Sequence, residues 1–191
     1  MKYNYDIFFS EYRINFGAIK ASVTVDNIKK IIEAAEYYGA SENQLAYVLA
    51  SAYHETAHDF IPKYEYGNYA YFIKKYWLNT KVAKWLGNDV ESEAFKYRGR
   101  GLIQITGETN YEKFGIANNP EKAIQIETSI DILYRGMLYG MFTGAKLSKY
   151  VGVNSYDFIN ARRVVNGTDR AKMIAEYADK FLIILHKSEI K

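Results

Sequence analysis

Two prolines, at positions 62 and 120, are all that interrupt a chain of 191 residues. Proline is the residue a helix interior tolerates least, because it lacks an N–H and its ring clashes with the preceding turn. Long proline-free stretches with apolar residues recurring every three or four positions predict a mainly helical fold with only a minor sheet. "TVDNIKKIIEAAEYYGAS" puts Ile28, Ile31, Ile32 and Ala35 on one face and stops at Gly39. Ser41 followed by Gln44 is a capping box. From it Leu45, Val48, Leu49, Ala52 and Thr56 form one stripe, on a helix that must fail before Pro62. "GETNYEKFG" reads as a short helix, and "ETSIDILYRGMLYGMFTG" and "SYDFINARRVV" as further ones. After the "NGTD" turn, residues 169–186 form a last helix with Met173, Ile174, Tyr177, Phe181 and Leu185 inward. "YRGRGLIQIT" (97–106) reads as a short strand or hairpin. Residues 66–95 are aromatic and lysine-rich with weak periodicity, and read as a small inserted lobe or as a helix followed by a loop.

Composition narrows the function classes. With 49% hydrophobic and 25% charged residues the chain belongs with globular rather than disordered proteins. It has no cysteine, which excludes disulfides and thiolate metal sites. A net charge of +3 favours encounter with an anionic polymer such as a bacterial wall, but its scattered Lys and Arg do not form a nucleic-acid footprint. The opening "MKYNYDIFFSEYRINFG" lacks the apolar core of a signal peptide, and no apolar run is long enough for an integral membrane segment. A target outside the membrane would then need another factor to let the protein through.

"AYHETAHDF" (52–60) carries two competing chemistries. As H-E-x-x-H, His54 and His58 would sit about 40° apart on one helix and bind zinc, with Glu55 activating water. Against this, the only other histidine is the distant His186, no signature picks out a third ligand, and His54 lies opposite the Leu45–Leu49–Ala52 stripe and should face outward. As a lone carboxylic acid, Glu55 falls about 80° from Leu45 and beside Val48, half-buried at a helix C-terminus. Apolar neighbours and the negative end of the helix dipole both favour its neutral form, as a general acid requires. Glu65, in "KYEYGN" beyond the proline, is expected to sit exposed and ionised. Two carboxyl groups whose environments push them apart are the equipment for glycoside hydrolysis.

"AYVLASAYHETAH", an acidic loop, "YRGRGLIQITGETNYEKFG" and "RRVVNG", in that order, resemble glycoside hydrolase family 19, and within it the phage endolysins and chitinase-like lysozymes. The likeness runs from about residue 20 to 185, and its most specific block is 97–111. It implies a mainly α, α+β lysozyme-like catalytic domain over residues 1–191, with two helical lobes flanking a cleft and a small β-hairpin or sheet. Glu55 would be the general acid and Glu65 the base that activates water, with Glu91 and Glu93 as alternatives for the base. Thr106 would help hold the water. Gln104, Asn110 and Asn166 match cleft positions. Tyr66 and Arg100 join them as expected substrate contacts, and of Tyr66, Tyr69, Tyr71 and Trp77 one or two should stack on sugar.

The residues themselves leave plainer roles open. Thr106 would equally cap the following helix, Asn166-Gly167 would equally be a turn, Gln104 would equally pair backbone in the hairpin, and Arg98 and Arg100 would equally salt-bridge the surface. Gly99 and Gly101 would let a sugar chain approach the backbone.

The expected partner is the glycan strand of peptidoglycan, with no nucleic acid, no metal or organic cofactor, and a monomeric protein. Resemblance and the missing export signal together point to a protein made in a bacterial host's cytoplasm and acting on the wall in lysis. The family inverts configuration, so the two carboxyl groups should stand about 6.5–9.5 Å apart or somewhat more. Three other functions fit the same sequence: a chitinase with this machinery, a zinc peptidase, and a wall-binding domain without activity.

Overall fold

The structure is a computed structural model and describes residues 2–190. The fold is mainly helical, with ten α-helices and one two-stranded antiparallel sheet among the described residues. The chain divides into two compact units, Met1–Phe60 with Leu133–Lys191, and Ile61–Ile132.

The first unit is organised around α3 (Glu42–Glu55), which opens on the expected capping box: Ser41 Oγ accepts from Gln44 N, and Gln44 Oε1 accepts from Ser41 N at 3.0 Å. The sequence predicts one buried stripe; instead every residue from Leu45 to Tyr53 is buried. "LAYVLASAY" is small or apolar all round, and a helix without a polar face must be covered on all sides. α2 (Ser22–Tyr37) and α10 (Ala171–Ser188) pack on it, and α1 (Tyr5–Phe16) and α9 (Phe158–Ala161) pack on α10. α2 buries Ile28, Ile31, Ile32 and Ala35 as expected. On α10 Ile174, Phe181 and Leu185 are buried, while Met173 and Tyr177 are only half-buried. Much of the tyrosine content is core. Phe16 lies 4.7 Å from Tyr53 and 4.6 Å from Phe181 between ring centroids, and Tyr53 lies 4.9 Å from Tyr177. Such edge and tilted pairs add about 0.5–1.5 kcal/mol each beyond area burial.

The second unit holds the sheet and three short helices, α4 (Tyr69–Tyr76), α5 (Thr80–Leu86) and α6 (Glu91–Lys96). Within 66–95 the sequence predicted a lobe or one helix with a loop; the three helices account for its weak periodicity. None exceeds eight residues, so each buries one or two side chains, too few to establish a period. Their ends are nonetheless well specified: Asn68 and Asn79 are N-caps, accepting from Tyr71 N and Val82 N, and Gly87 closes α5 at φ 74°. Phe72, Tyr76, Leu86 and Ala94 form the core, with Ile73, Trp77, Val82 and Phe95 against it. β1 (Lys63–Tyr64) pairs antiparallel with β2 (Arg100–Gly101), Lys63 opposite Gly101 and Tyr64 opposite Arg100. A further bridge joins Arg100 to Ile105, which closes the expected hairpin. α7 (Glu108–Lys113) and a 3-10 turn (Pro120–Ile124) follow, and α8 (Ile126–Leu138) leads in sequence to the remainder of the first unit.

Candidate active site

Glu55 is the last residue of α3. The helix stops because Thr56 turns its hydroxyl back to the Ala52 carbonyl at 2.7 Å and accepts from Phe60 N at 2.9 Å. Ala57, His58 and Phe60 then adopt left-handed backbone conformations. His58 is therefore off the helix, stacked on Tyr53 with centroids 4.2 Å apart, and does not share a face with His54. The metal-binding pair that H-E-x-x-H requires is not formed, and no group of three His, Cys, Asp or Glu among the described residues could hold a metal ion. His54 is half-buried rather than facing outward, and burial, only partly offset by Glu55, holds its imidazole below the usual histidine range.

The Glu55 carboxyl is half-buried, as the helix wheel predicts, but the apolar setting expected to keep it neutral is corrected, because a buried guanidinium is ion-paired with it. Arg162 Nη1 donates to Oε1 at 2.8 Å, with the arginine side chain 3% and the glutamate 19% exposed. Arg162 Nε donates to the Asp169 carbonyl at 3.1 Å, which fixes the guanidinium plane. Oε2 bonds no side chain or backbone group among the described residues. In "RRVVNG" the motif points to Asn166, whereas the residue that meets Glu55 is Arg162, four positions earlier. Asn166 itself is exposed in a turn, and its backbone N–H donates to the Arg162 carbonyl at 3.0 Å.

Glu65 lies just after β1, where its N–H donates to the Gly99 carbonyl at 2.8 Å. The expected exposed loop carboxylate is instead 15% exposed and surrounded by donors. Lys75 Nζ reaches Oε1 at 2.7 Å, the Tyr76 hydroxyl bridges Oε1 and Oε2 at 2.9 and 2.8 Å, and Gly99 N reaches Oε2 at 3.1 Å. With the Tyr71 hydroxyl, which donates to Oε1 at 3.4 Å, five donor contacts meet the two oxygens, and a carboxylate offers acceptors for all of them. For Lys75, burial opposes charge, but bonds to Glu65, Tyr76 and Tyr71 outweigh it and hold the ammonium above the ordinary lysine value. The Tyr76 phenol is pushed up to about 12, by burial first, with Lys75 opposing and Glu65 adding. Lys75 and Tyr76 lie ten and eleven residues beyond Glu65, at the end of α4, and no local signal pairs them with it.

The neighbouring positions divide. Thr106 does not cap α7, whose N-cap is Gly107 without a side-chain bond; its hydroxyl donates to the Gln104 carbonyl at 3.1 Å. Asn110 Nδ2 donates to the Thr106 carbonyl at 2.8 Å, and its Oδ1 accepts from Lys113 Nζ at 3.3 Å. Gln104, at φ 53°, donates from Nε2 to the carbonyls of Lys63 (2.8 Å) and Gly101 (3.1 Å) and stitches the hairpin turn to β1. Arg100 corrects the expectation of a surface or substrate contact. It is 1% exposed, its Nη2 pairs with Glu121 at 2.6 Å, and its Nη1 donates to Lys96 O, Arg98 O and the Tyr111 hydroxyl. A guanidinium so enclosed braces the fold and cannot reach a sugar. The glycines also serve packing: a Cβ at Gly99 would stand 3.0 Å from Glu65 Oε2, and one at Gly101 2.8 Å from Ser129 Oγ.

No protein-family model, curated protein or solved structure matches the chain. The site is therefore interpreted from its own chemistry. Of the alternative carboxylates, Glu93 is taken by the N–H groups of Asp89 and Val90, and the exposed Glu91 accepts from the Tyr69 hydroxyl. Tyr66 is 98% exposed, Tyr69 and Tyr71 about half so, and Trp77 packs against the core of its unit.

Proposed function

We propose that the protein is a glycoside hydrolase that cleaves β-1,4 bonds between the amino sugars of peptidoglycan glycan strands, with Glu55 as general acid and Glu65 as base. The observation that carries this reading is Glu55 itself: a half-buried carboxyl at a helix end, anchored through Oε1 by a buried arginine, with Oε2 unbonded. A proton on Oε2 can pass to a glycosidic oxygen, and Arg162 then stabilises the carboxylate that remains. Glu65 supports the complementary role, since the groups around it supply only donors and leave its oxygens as acceptors. To take a proton from water, one of its five contacts must yield, and Lys75, 45% exposed, can turn to solvent. Thr106 keeps hydroxyl lone pairs for a water, and the exposed Tyr66 ring offers a face for a sugar. Action on the wall during phage lysis follows from the family resemblance and is proposed with it.

Mass analysis of fragments released from purified bacterial sacculi tests the assignment. New reducing ends on amino sugars, absent with Glu55→Gln, are expected; new amines would identify a peptidase and overturn it. Glu55→Gln keeps an acceptor for Arg162, so loss of turnover with a folded protein is the expected pair of results. Turnover of chitin oligomers without any release from sacculi would instead identify a chitinase. Unimpaired release by Glu55→Gln would overturn Glu55 as the acid, and binding to sacculi with no release by the parent protein would identify a wall-binding domain.

A further inference from the structure

The α4–α5 region has a surface that glycoside hydrolysis does not use. Residues 66–88 contain four lysines and no acidic residue, more positive charge than the net +3 of the whole chain. On α5, Ala83 and Leu86 face inward and Val82 packs against the core. The opposite face carries Lys81, Lys84 and Trp85, spaced i, i+3, i+4 and so side by side, and Leu78 stands in the turn just before the helix. Trp85 is 77% and Leu78 67% exposed. Neither Lys81 nor Lys84 is paired with a carboxylate among the described residues. Asn79 and Gly87 cap the helix at both ends, so this face is held rigidly rather than displayed on a loop.

We propose that this face docks the protein on an anionic phospholipid surface. Lysines with unpaired ammonium groups attract anionic headgroups, and their apolar stems let the charge stay in water while the chain lies low. An indole sits at headgroup level, and an exposed leucine leaves water only where acyl chains receive it. A hydrated polyanion would satisfy Lys81 and Lys84 but offers nothing to Leu78 or Trp85. A second copy of the face would set lysine against lysine. No helix among the described residues is long and apolar enough to cross a membrane, so the contact is peripheral.

The full chain, mixed with vesicles of equimolar phosphatidylcholine and phosphatidylglycerol, should co-sediment at low salt and release at high salt, with a blue shift of tryptophan emission. Pure phosphatidylcholine vesicles should not bind. Lys81→Gln with Lys84→Gln should weaken binding roughly 25-fold, about fivefold for each lysine near the surface. Trp85→Ser and Leu78→Asn should each weaken it several-fold, and Trp85→Phe should abolish the blue shift. All four positions are exposed, so melting curves should be unchanged and loss of binding is not loss of fold. Failure to sediment with anionic vesicles overturns the proposal. So does binding that needs the lysines but not Trp85 or Leu78 and is matched by soluble polyphosphate, which identifies a polyanion site instead.

Discussion

Glu65→Gln should lower the melting temperature of the protein, because this carboxyl is held by a cluster of donors that an amide cannot fully satisfy. Glu65 receives Lys75, Tyr76 and, more distantly, Tyr71 on Oε1, and Tyr76 and Gly99 on Oε2. An amide nitrogen in place of Oε2 would face the Gly99 N–H, a fixed backbone donor left without an acceptor, at a cost of about 1–3 kcal/mol. The less costly orientation puts the nitrogen in place of Oε1 and displaces Lys75, which is 45% exposed and can turn to water. Losing that half-exposed ion pair costs up to about 1 kcal/mol after solvent screening. Replacing a charge-assisted acceptor by a neutral one for Tyr76 and Gly99 costs about 1–2 kcal/mol more. The total is about 1–3 kcal/mol, or roughly 2–12 °C for a chain of this size. Glu65→Ala, which keeps no acceptor, should fall further, and Tyr76→Phe should fall less than either. Thermal melts followed by circular dichroism at neutral pH measure all three. If Glu65→Gln and Glu65→Ala both melt within a degree of the parent protein, the donor cluster does not hold this carboxylate, and its place as a fixed base fails with it.

Arg162→Met leaves Glu55 without its partner and the Asp169 carbonyl without its donor. With Glu55 19% exposed, the expected loss is about 2–3 kcal/mol, below that of a fully buried pair, readable in denaturant melts, and most of it should disappear in the double variant with Glu55→Gln. Gly99→Ala brings a methyl to 2.9 Å from Gln104 Oε1 and 3.0 Å from Glu65 Oε2, neither free to move. It should cost about 1–3 kcal/mol and depress turnover, and a melting temperature unchanged from the parent would show that the carboxylate yields easily. Burial holds His54 below its unfolded value of about 6.5. Above that pH the group adds no pH dependence. As pH falls below it, the unfolded chain takes the proton first and stability declines until pH passes the folded value. His54→Gln should remove that component from stability measured between neutral and mildly acid pH, and an unaltered profile would count against it.

The helices that can be read from the sequence are those whose information is local. Ser41 and Gln44 specify their own cap, and Ile28, Ile31, Ile32 and Ala35 specify a face, because every partner in those patterns lies within a turn or two. α1 was not placed, although Asn4 caps it and Phe8, Phe9 and Tyr12 are buried, since its aromatic spacing reads as readily as irregular chain. Glu55 was legible in position, at the end of a buried helix, but not in environment, because Arg162 arrives from 107 residues away. Glu65 shows the same limit more sharply. Its exposure was judged from "KYEYGN" alone, a polar stretch after a proline, yet Gly99 reaches it across the β1–β2 pairing and Lys75 and Tyr76 reach it from α4. The protonation and reach of a carboxylate are set by donors that the fold brings to it. A motif can nominate such a residue, while the charge it carries is decided by contacts that have no period in the sequence.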